Sequence, residues 1–376
     1  MLSLYIHIPF CVRKCGYCGF YSTQYSAHRA DEFISCFQRE AASLQSDFTH
    51  RIFTNIYIGG GTPTVLSPGQ FNRIVSIIRK FFPIAENVEF TVEANPNTVT
   101  REKLLQMFSL GVNRLSLGAQ SFSDDMLRIL GRLHTSEQAV DAFRLARVAG
   151  FRNIGVDLIF GIPGQTAVHW KETLEATIAL KPEHVSAYGL SLDSGSQWQR
   201  AAEEGRFTLP DEDVAAEMYG QAVQTLQCAG YGHYEISNFS FPGFECRHNM
   251  NYWERGEYLG LGPGAWSFIV GKRYSNIADT AEYSRRVSNG RTAVDAHETV
   301  GAEQAAREIV LLRLRTMKGL DLRWFEREFG PDFLLNLERN AVPLRDGGLL
   351  FESEGHLRLT NRGILLSDEA LARLSL

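Results

Sequence analysis

Three cysteines within eight residues raise the question of chemistry. In residues 5–20, YIHIPFCVRKCGYCGF, Cys11, Cys15 and Cys18 are spaced C-x3-C-x2-C and make up half of the chain's six cysteines. Thiolates grouped in this way are metal ligands rather than packing residues. A four-cysteine site would mean structural zinc or a fully ligated cluster, whereas three thiolates leave one metal position open. On a [4Fe–4S] cluster, the iron without a thiolate can take an outside ligand. The other cysteines, Cys36, Cys228 and Cys246, are remote in sequence. A zinc loop would need one of them, or a distant His, to close it, and zinc motifs usually come as two short pairs.

Further polar and glycine residues follow apolar runs. Gly59-Gly60-Gly61-Thr62-Pro63 comes after 52–58, and glycines there let backbone and ligand approach closely or simply make a turn. Glu93 ends the run 88–92. Gln120, in LGAQSF, puts an amide at the end of 114–117. Arg132, in LGRLH, carries a guanidinium suited to a two-pronged bond with a carboxylate. Asp157 interrupts the apolar Ile154, Val156, Leu158 and Ile159; a buried acid needs a partner, so it is a structural anchor or a ligand contact. The stretch CRHNMNYW, 246–253, reads on residue types alone as a core loop with a satisfied His248 and packed aromatics, Cys246 being a buried structural thiol.

The elements that must position these residues alternate. Strands are expected at 2–8, 52–58, 88–92, 114–117, 153–159 and 184–190, and helices at 28–46, 67–82, 100–110, within 123–149, at 167–180 and at 211–229. Six such alternations predict an α/β fold, an open partial (β/α)6 barrel over residues 1–230. The polar residues all fall just past strand C-termini, the face on which barrel sites are built. The cluster loop also follows a strand end, so cluster and polar residues should share one mouth. Residues 231–300 break the alternation as a Gly- and aromatic-rich connecting segment. Residues 301–376 return to helices, with Ala305, Ile309 and Leu312 in one stripe and Phe325, Phe329 and Phe333 continuing at spacing four. Two short strands, 348–360, complete a smaller, mainly helical, winged-helix-like C-terminal domain.

With an aromatic, Tyr17, before its last Cys, the C-x3-C-x2-C motif resembles the signature of the radical S-adenosylmethionine (SAM) superfamily. YIHIPFC and HNMNYW narrow the resemblance to the coproporphyrinogen III oxidase-like branch, and within it to the haem chaperones, over nearly the whole chain. It implies a [4Fe–4S] cluster on Cys11, Cys15 and Cys18, whose open iron binds the amino and carboxylate groups of SAM. In that superfamily one electron cleaves SAM to a 5′-deoxyadenosyl radical, while the protein orients SAM and excludes water. The implied SAM contacts are Tyr5, Tyr17, Gly60, Gly61, Thr62, Glu93, Gln120, Arg132 and Asp157. H-N-x-x-Y-W implies haem contacts at His248, Asn249, Tyr252 and Trp253, His being a common axial ligand.

Two departures separate the chaperones from the coproporphyrinogen dehydrogenases. Phe20 stands where those enzymes carry a further Cys, and the first motif begins almost at Met1, where they have an N-terminal arm. A third departure lies within the chaperone pattern itself: Gly264-Ala265-Trp266-Ser267 replaces its GAHS, so no role of that His carries over. The resemblance implies a haem chaperone that passes haem to apo-haem proteins without dehydrogenase activity. It leaves room for a haem donor protein and a cluster-dependent dimer. The alternative is radical decarboxylation of coproporphyrinogen III propionates.

Composition excludes other classes. The 376 residues are 44% hydrophobic and 22% charged, as expected of a soluble protein with one large and one smaller domain. A net charge of −5 offers no basic footprint for nucleic acid. Residues 320–376 hold ten acids against seven bases, so the wing is read as packing or docking rather than DNA binding. Six cysteines are too few for a disulfide framework, and clustered thiolates need a reducing compartment, which points to the cytoplasm. MLSLYIHIPF lacks the basic start and cleavage site of a signal peptide and reads as a first strand. No run of roughly eighteen apolar residues spans a membrane.

Overall fold

The computed structural model describes residues 1–192, 196–206 and 208–374. Six parallel strands form its centre: β1 (Leu2–Ile8), β2 (Phe53–Gly60), β3 (Ile84–Ala94), β4 (Arg114–Gln120), β5 (Ile154–Phe160) and β6 (His184–Gly189), paired in chain order. Their near-continuous apolar runs suit strands covered on both faces. In β1 and in β5 one central position alone is not fully buried, and these positions are Tyr5 and Asp157.

Helices between the strands cover the outer face, and local chemistry fixes their starts. Ser67 and Gln70 make a reciprocal capping box for Pro68–Phe81, as do Thr135 and Gln138 for Ser136–Ala149 and Thr166 and His169 for Ala167–Leu180. Ile74, Ile78 and Phe143 turn inward to a core that also contains Phe33, Phe37, Phe90 and Trp170.

The stretch 231–300 has no helix-strand alternation, yet it extends the same sheet at both ends. The hairpin Gly232–Glu235 and Asn238–Ser240 pairs antiparallel with β6. The strand Glu257–Leu261 pairs parallel with the outer side of β1, and Trp266–Ile269, Lys272–Asn276 and Val294–Thr299 follow antiparallel. The result is a twelve-stranded sheet, open because β6 does not pair with β1. Between its two additions runs the helix Arg247–Trp253, which packs on β1 and β2. HNMNYW is therefore helical, not the loop read from residue types.

The C-terminal part carries its own core, with Ile309, Leu314, Phe325, Leu337 and Leu357, and a three-stranded sheet from Leu320–Asp321, Leu350–Ser353 and His356–Leu359. The stripe of Phe325, Phe329 and Phe333 is divided. Gly330, at φ 97°, and Pro331 end one helix and start the next. Among the described residues, no helix is long and apolar enough to cross a membrane.

Candidate functional site

At the C-terminal ends of β2 to β6 lies a cavity of about 490 Å³. Tyr17, Gly60, Gly61, Thr62, Glu93, Gln120, Arg132 and Asp157 all line it, together with Cys18 and Phe20 of the cysteine loop. Tyr5 does not. Its ring lies one layer below, stacked on Tyr57 at 6.2 Å, with its hydroxyl 3.2 Å from His7 Nδ1.

Two acids form the floor. Glu93 accepts a bond from the Tyr57 hydroxyl at 2.9 Å and another from the Gly60 N–H at 3.2 Å. Loss of water pushes its pKa up to about 7; the Tyr57 bond pulls down, neighbouring Asp157 pushes up, and Gly60 and Arg114 pull down. Burial likewise raises Asp157, against hydroxyl bonds from Ser186 at 2.8 Å and Ser116 at 3.0 Å and the positive charge of Arg114 and Arg132. Asp157 is thus held by two serines and still borders the cavity, so the structural and ligand roles coexist.

Opposite stands Arg132, which donates to the Gly118 carbonyl at 2.9 Å and points Nη1 at Cys15 Sγ, 3.8 Å away. Its buried Nε has no partner among the described residues. Gln120 sits at φ 66°, a left-handed backbone that is uncommon without glycine and concentrates at functional sites.

The glycines serve the fold more directly than their sequence context suggests. Gly60 has φ 104°, and a Cβ there would lie 2.7 Å from the His7 ring; one at Gly61 would lie 2.6 Å from the Phe10 carbonyl oxygen. The protein's own neighbours already require glycine at both, before any ligand is considered.

Cys11, Cys15 and Cys18 share one loop beside the mouth, and Cys18 lines the cavity. Cys11 Sγ is 3.5 Å from Thr62 Oγ1, and the Cys18 N–H donates to the Cys15 carbonyl at 3.2 Å. Burial raises the Cys18 thiol; a backbone bond at Phe20 opposes it, and the neighbouring Cys15 and Cys11 add to it, which places the three within electrostatic reach. The remaining cysteines belong elsewhere. Cys36 is buried against Ser284 and Ser288, Cys246 against Glu89, and Cys228 is exposed. Among the described residues no three His, Cys, Asp or Glu side chains are gathered for a single metal ion. With Cys36, Cys228 and Cys246 placed elsewhere, the loop offers three thiols, a donor set that suits a cluster with one open iron.

HNMNYW lies below the cavity rather than on a surface. His248 is 2% exposed. Its ring stacks on Tyr57 with centroids 4.8 Å apart, and its Nε2 is 3.1 Å from the Tyr252 hydroxyl. Burial, with Arg114 nearby, lowers its pKa to about 3, so the imidazole is neutral. Trp253 lies under the Arg315 guanidinium at 5.0 Å, and Asn249 is partly buried on the same short helix. Tyr57 and Tyr5 stack on its faces and Tyr252 meets it edge-on, while its Nδ1 has no partner among the described residues.

Sequence reasoning missed the residues that hold the site. Tyr57, Ser116 and Ser186 alternate inward on their strands, and period two could have flagged them. Glu89, which accepts from the N–H groups of Arg247 and His248 at 3.2 Å each, carries no local signal.

An open parallel barrel with a three-cysteine loop at the strand C-termini and polar residues around one mouth defines a radical SAM protein. Residues 5–177 match the Radical SAM superfamily, and residues 300–366 match the HemN C-terminal domain. The chain is 35% identical to the heme chaperone HemW of Bacillus subtilis over 98% of both chains. It is 34% identical to that of Lactococcus lactis over 100% of this chain and 97% of the relative. The solved coproporphyrinogen III oxidase HemN of Escherichia coli, a radical SAM enzyme, shares the fold at TM-score 0.88 and 24% identity, over 100% of this chain and 90% of that one. The chain belongs to the HemW family of radical SAM proteins.

Proposed function

We propose that this chain is a haem chaperone that holds a [4Fe–4S] cluster on Cys11, Cys15 and Cys18, binds SAM in the adjoining cavity, takes up haem and passes it to apo-haem proteins. The observation that carries the reading is the likeness to heme chaperones HemW along the full chain, joined to the triad and cavity at one mouth. Phe20, 64% exposed and lining that cavity, occupies the position at which the dehydrogenase branch has Cys.

A bound cluster would supply an open iron to SAM. The chain's own residues would do the rest. Glu93 and Asp157 offer acceptors to an ammonium or to ribose hydroxyls, Arg132 offers N–H groups to a carboxylate, and Gln120 offers an amide. The apolar rim, with Tyr17, Ile159 and Leu190, limits water.

Haem titration of the purified protein, run alongside a coproporphyrinogen III decarboxylation assay with SAM and reductant, tests the reading. Saturable haem uptake without decarboxylation is expected. Efficient decarboxylation with haem ignored would replace the chaperone by a dehydrogenase.

A further inference from the structure

The sequence marks HNMNYW as a ligand motif, but its surroundings give it another task. Three aromatic rings enclose His248: Tyr57 at 4.8 Å and 26°, Tyr5 at 6.2 Å and 29°, and Tyr252 edge-on at 4.8 Å and 84°. Tyr57 is the ring whose hydroxyl reaches Glu93 at 2.9 Å, and Glu93 in turn accepts the N–H of Gly60. The helix carrying His248 has a fixed seat. Glu89 accepts the N–H groups of Arg247 and His248, the Cys246 thiol lies 3.8 Å from the same carboxylate, and the Asn251 amide donates to the Glu257 carbonyl at 2.9 Å. His248 therefore stands at a defined height beneath Tyr57, which has an open cavity above it.

We infer that His248 is a positioning residue: its ring supports Tyr57 from below and thereby holds the Glu93 carboxylate at the cavity floor. The inference rests on the reading of that cavity as the SAM site. The imidazole Nδ1 has no partner, and only Nε2 bonds, to Tyr252. The ring thus presents a flat neutral face to Tyr57, which phenylalanine can also provide. Stacked aromatic pairs resist tilting because offset faces attract.

The test uses anaerobic, cluster-loaded full-length protein, SAM calorimetry and haem absorption. His248→Ala should weaken SAM binding about tenfold, the scale of a misplaced charge-assisted bond. His248→Phe should stay within about twofold of wild type, since the stack survives. Tyr57→Phe should weaken SAM binding like His248→Ala, and the double variant should be no weaker than Tyr57→Phe, because both act on Glu93 through one route. Glu93 is faced by Tyr57, Asp157 and Arg114; of these, the Tyr57 hydroxyl bond and the Arg114 charge hold its pKa down. Both Tyr57→Phe and His248→Ala should therefore move the pH midpoint of SAM binding upward, a shift that simple loosening of the fold would not give. The Soret band of the haem-loaded His248→Phe protein should match wild type.

A shifted Soret band in His248→Phe with SAM affinity intact would make His248 a haem ligand and overturn the inference. So would additive losses in the double variant, or unchanged SAM affinity in His248→Ala. A wild type that takes up its cluster yet binds no SAM would overturn the cavity reading as well, which separates the two failures.

Discussion

Glu93→Gln should make the protein more stable and a worse SAM binder, and the stability gain should grow with pH. The carboxyl ordinarily titrates near 4.5 and is raised to about 7 in the fold. Between those values the folded state holds a proton that the unfolded chain has released. Wild-type stability is therefore lost as pH rises from 4.5 through 7 and is flat above. Each unit is worth about 1.4 kcal/mol, so about 2 kcal/mol disappears between pH 5.5 and 7. The variant cannot titrate. It offers one oxygen where Glu93 offers two, so either the Tyr57 or the Gly60 bond is lost at about 1 kcal/mol. The two proteins should be roughly level at pH 5.5, with the variant about 2 kcal/mol ahead at pH 8. Anaerobic urea unfolding at a series of pH values, followed by tryptophan fluorescence, measures this. Parallel profiles, with a difference independent of pH, would refute the premise that Glu93 is a carboxylate held against its desolvation. In the same preparation SAM should bind at least about tenfold more weakly, since a charged acceptor is gone. Stability gained with binding lost is the trade-off expected of a group kept for function.

Two further outcomes follow from particular contacts. Cys15→Ala should lose iron on purification, whereas Cys36→Ala should keep it because that thiol is buried against Ser284 and Ser288; iron analysis decides, and equal loss in both would revive a four-cysteine site. Gly60→Ala should lower the thermal midpoint, by at least about 1 kcal/mol of stability, because its Cβ meets the His7 ring at a left-handed backbone position; an unchanged midpoint with SAM binding alone lost would return Gly60 to a purely ligand role.

The position of the site was legible in the sequence because its causes are local. Cysteine spacing brings three thiols onto one loop whatever the distant chain does. Parallel strands joined by helices put every strand C-terminus on one side, so Gly60, Glu93, Gln120 and Asp157 had to converge once six alternations were recognised. Helix starts were legible for the same reason, since a capping box spans four residues.

What only the tertiary structure decided involves partners far apart in the chain. His248 meets a carboxylate 159 residues away at Glu89, and Tyr57 meets its acid across a strand pair. The stretch 231–300 extends the sheet at both ends because β6 and β1 each offered an unpaired edge, a demand of the open sheet and not of any local periodicity. The residue types of HNMNYW favour a packed core loop, and the resemblance a porphyrin contact. The tertiary structure adds that His248 is buried beneath Tyr57, among neighbours that sequence spacing does not reveal. Likewise glycine at 60 could have signalled a ligand's approach or the protein's own; the His7 ring, brought alongside by the pairing of β1 with β2, makes it the protein's own.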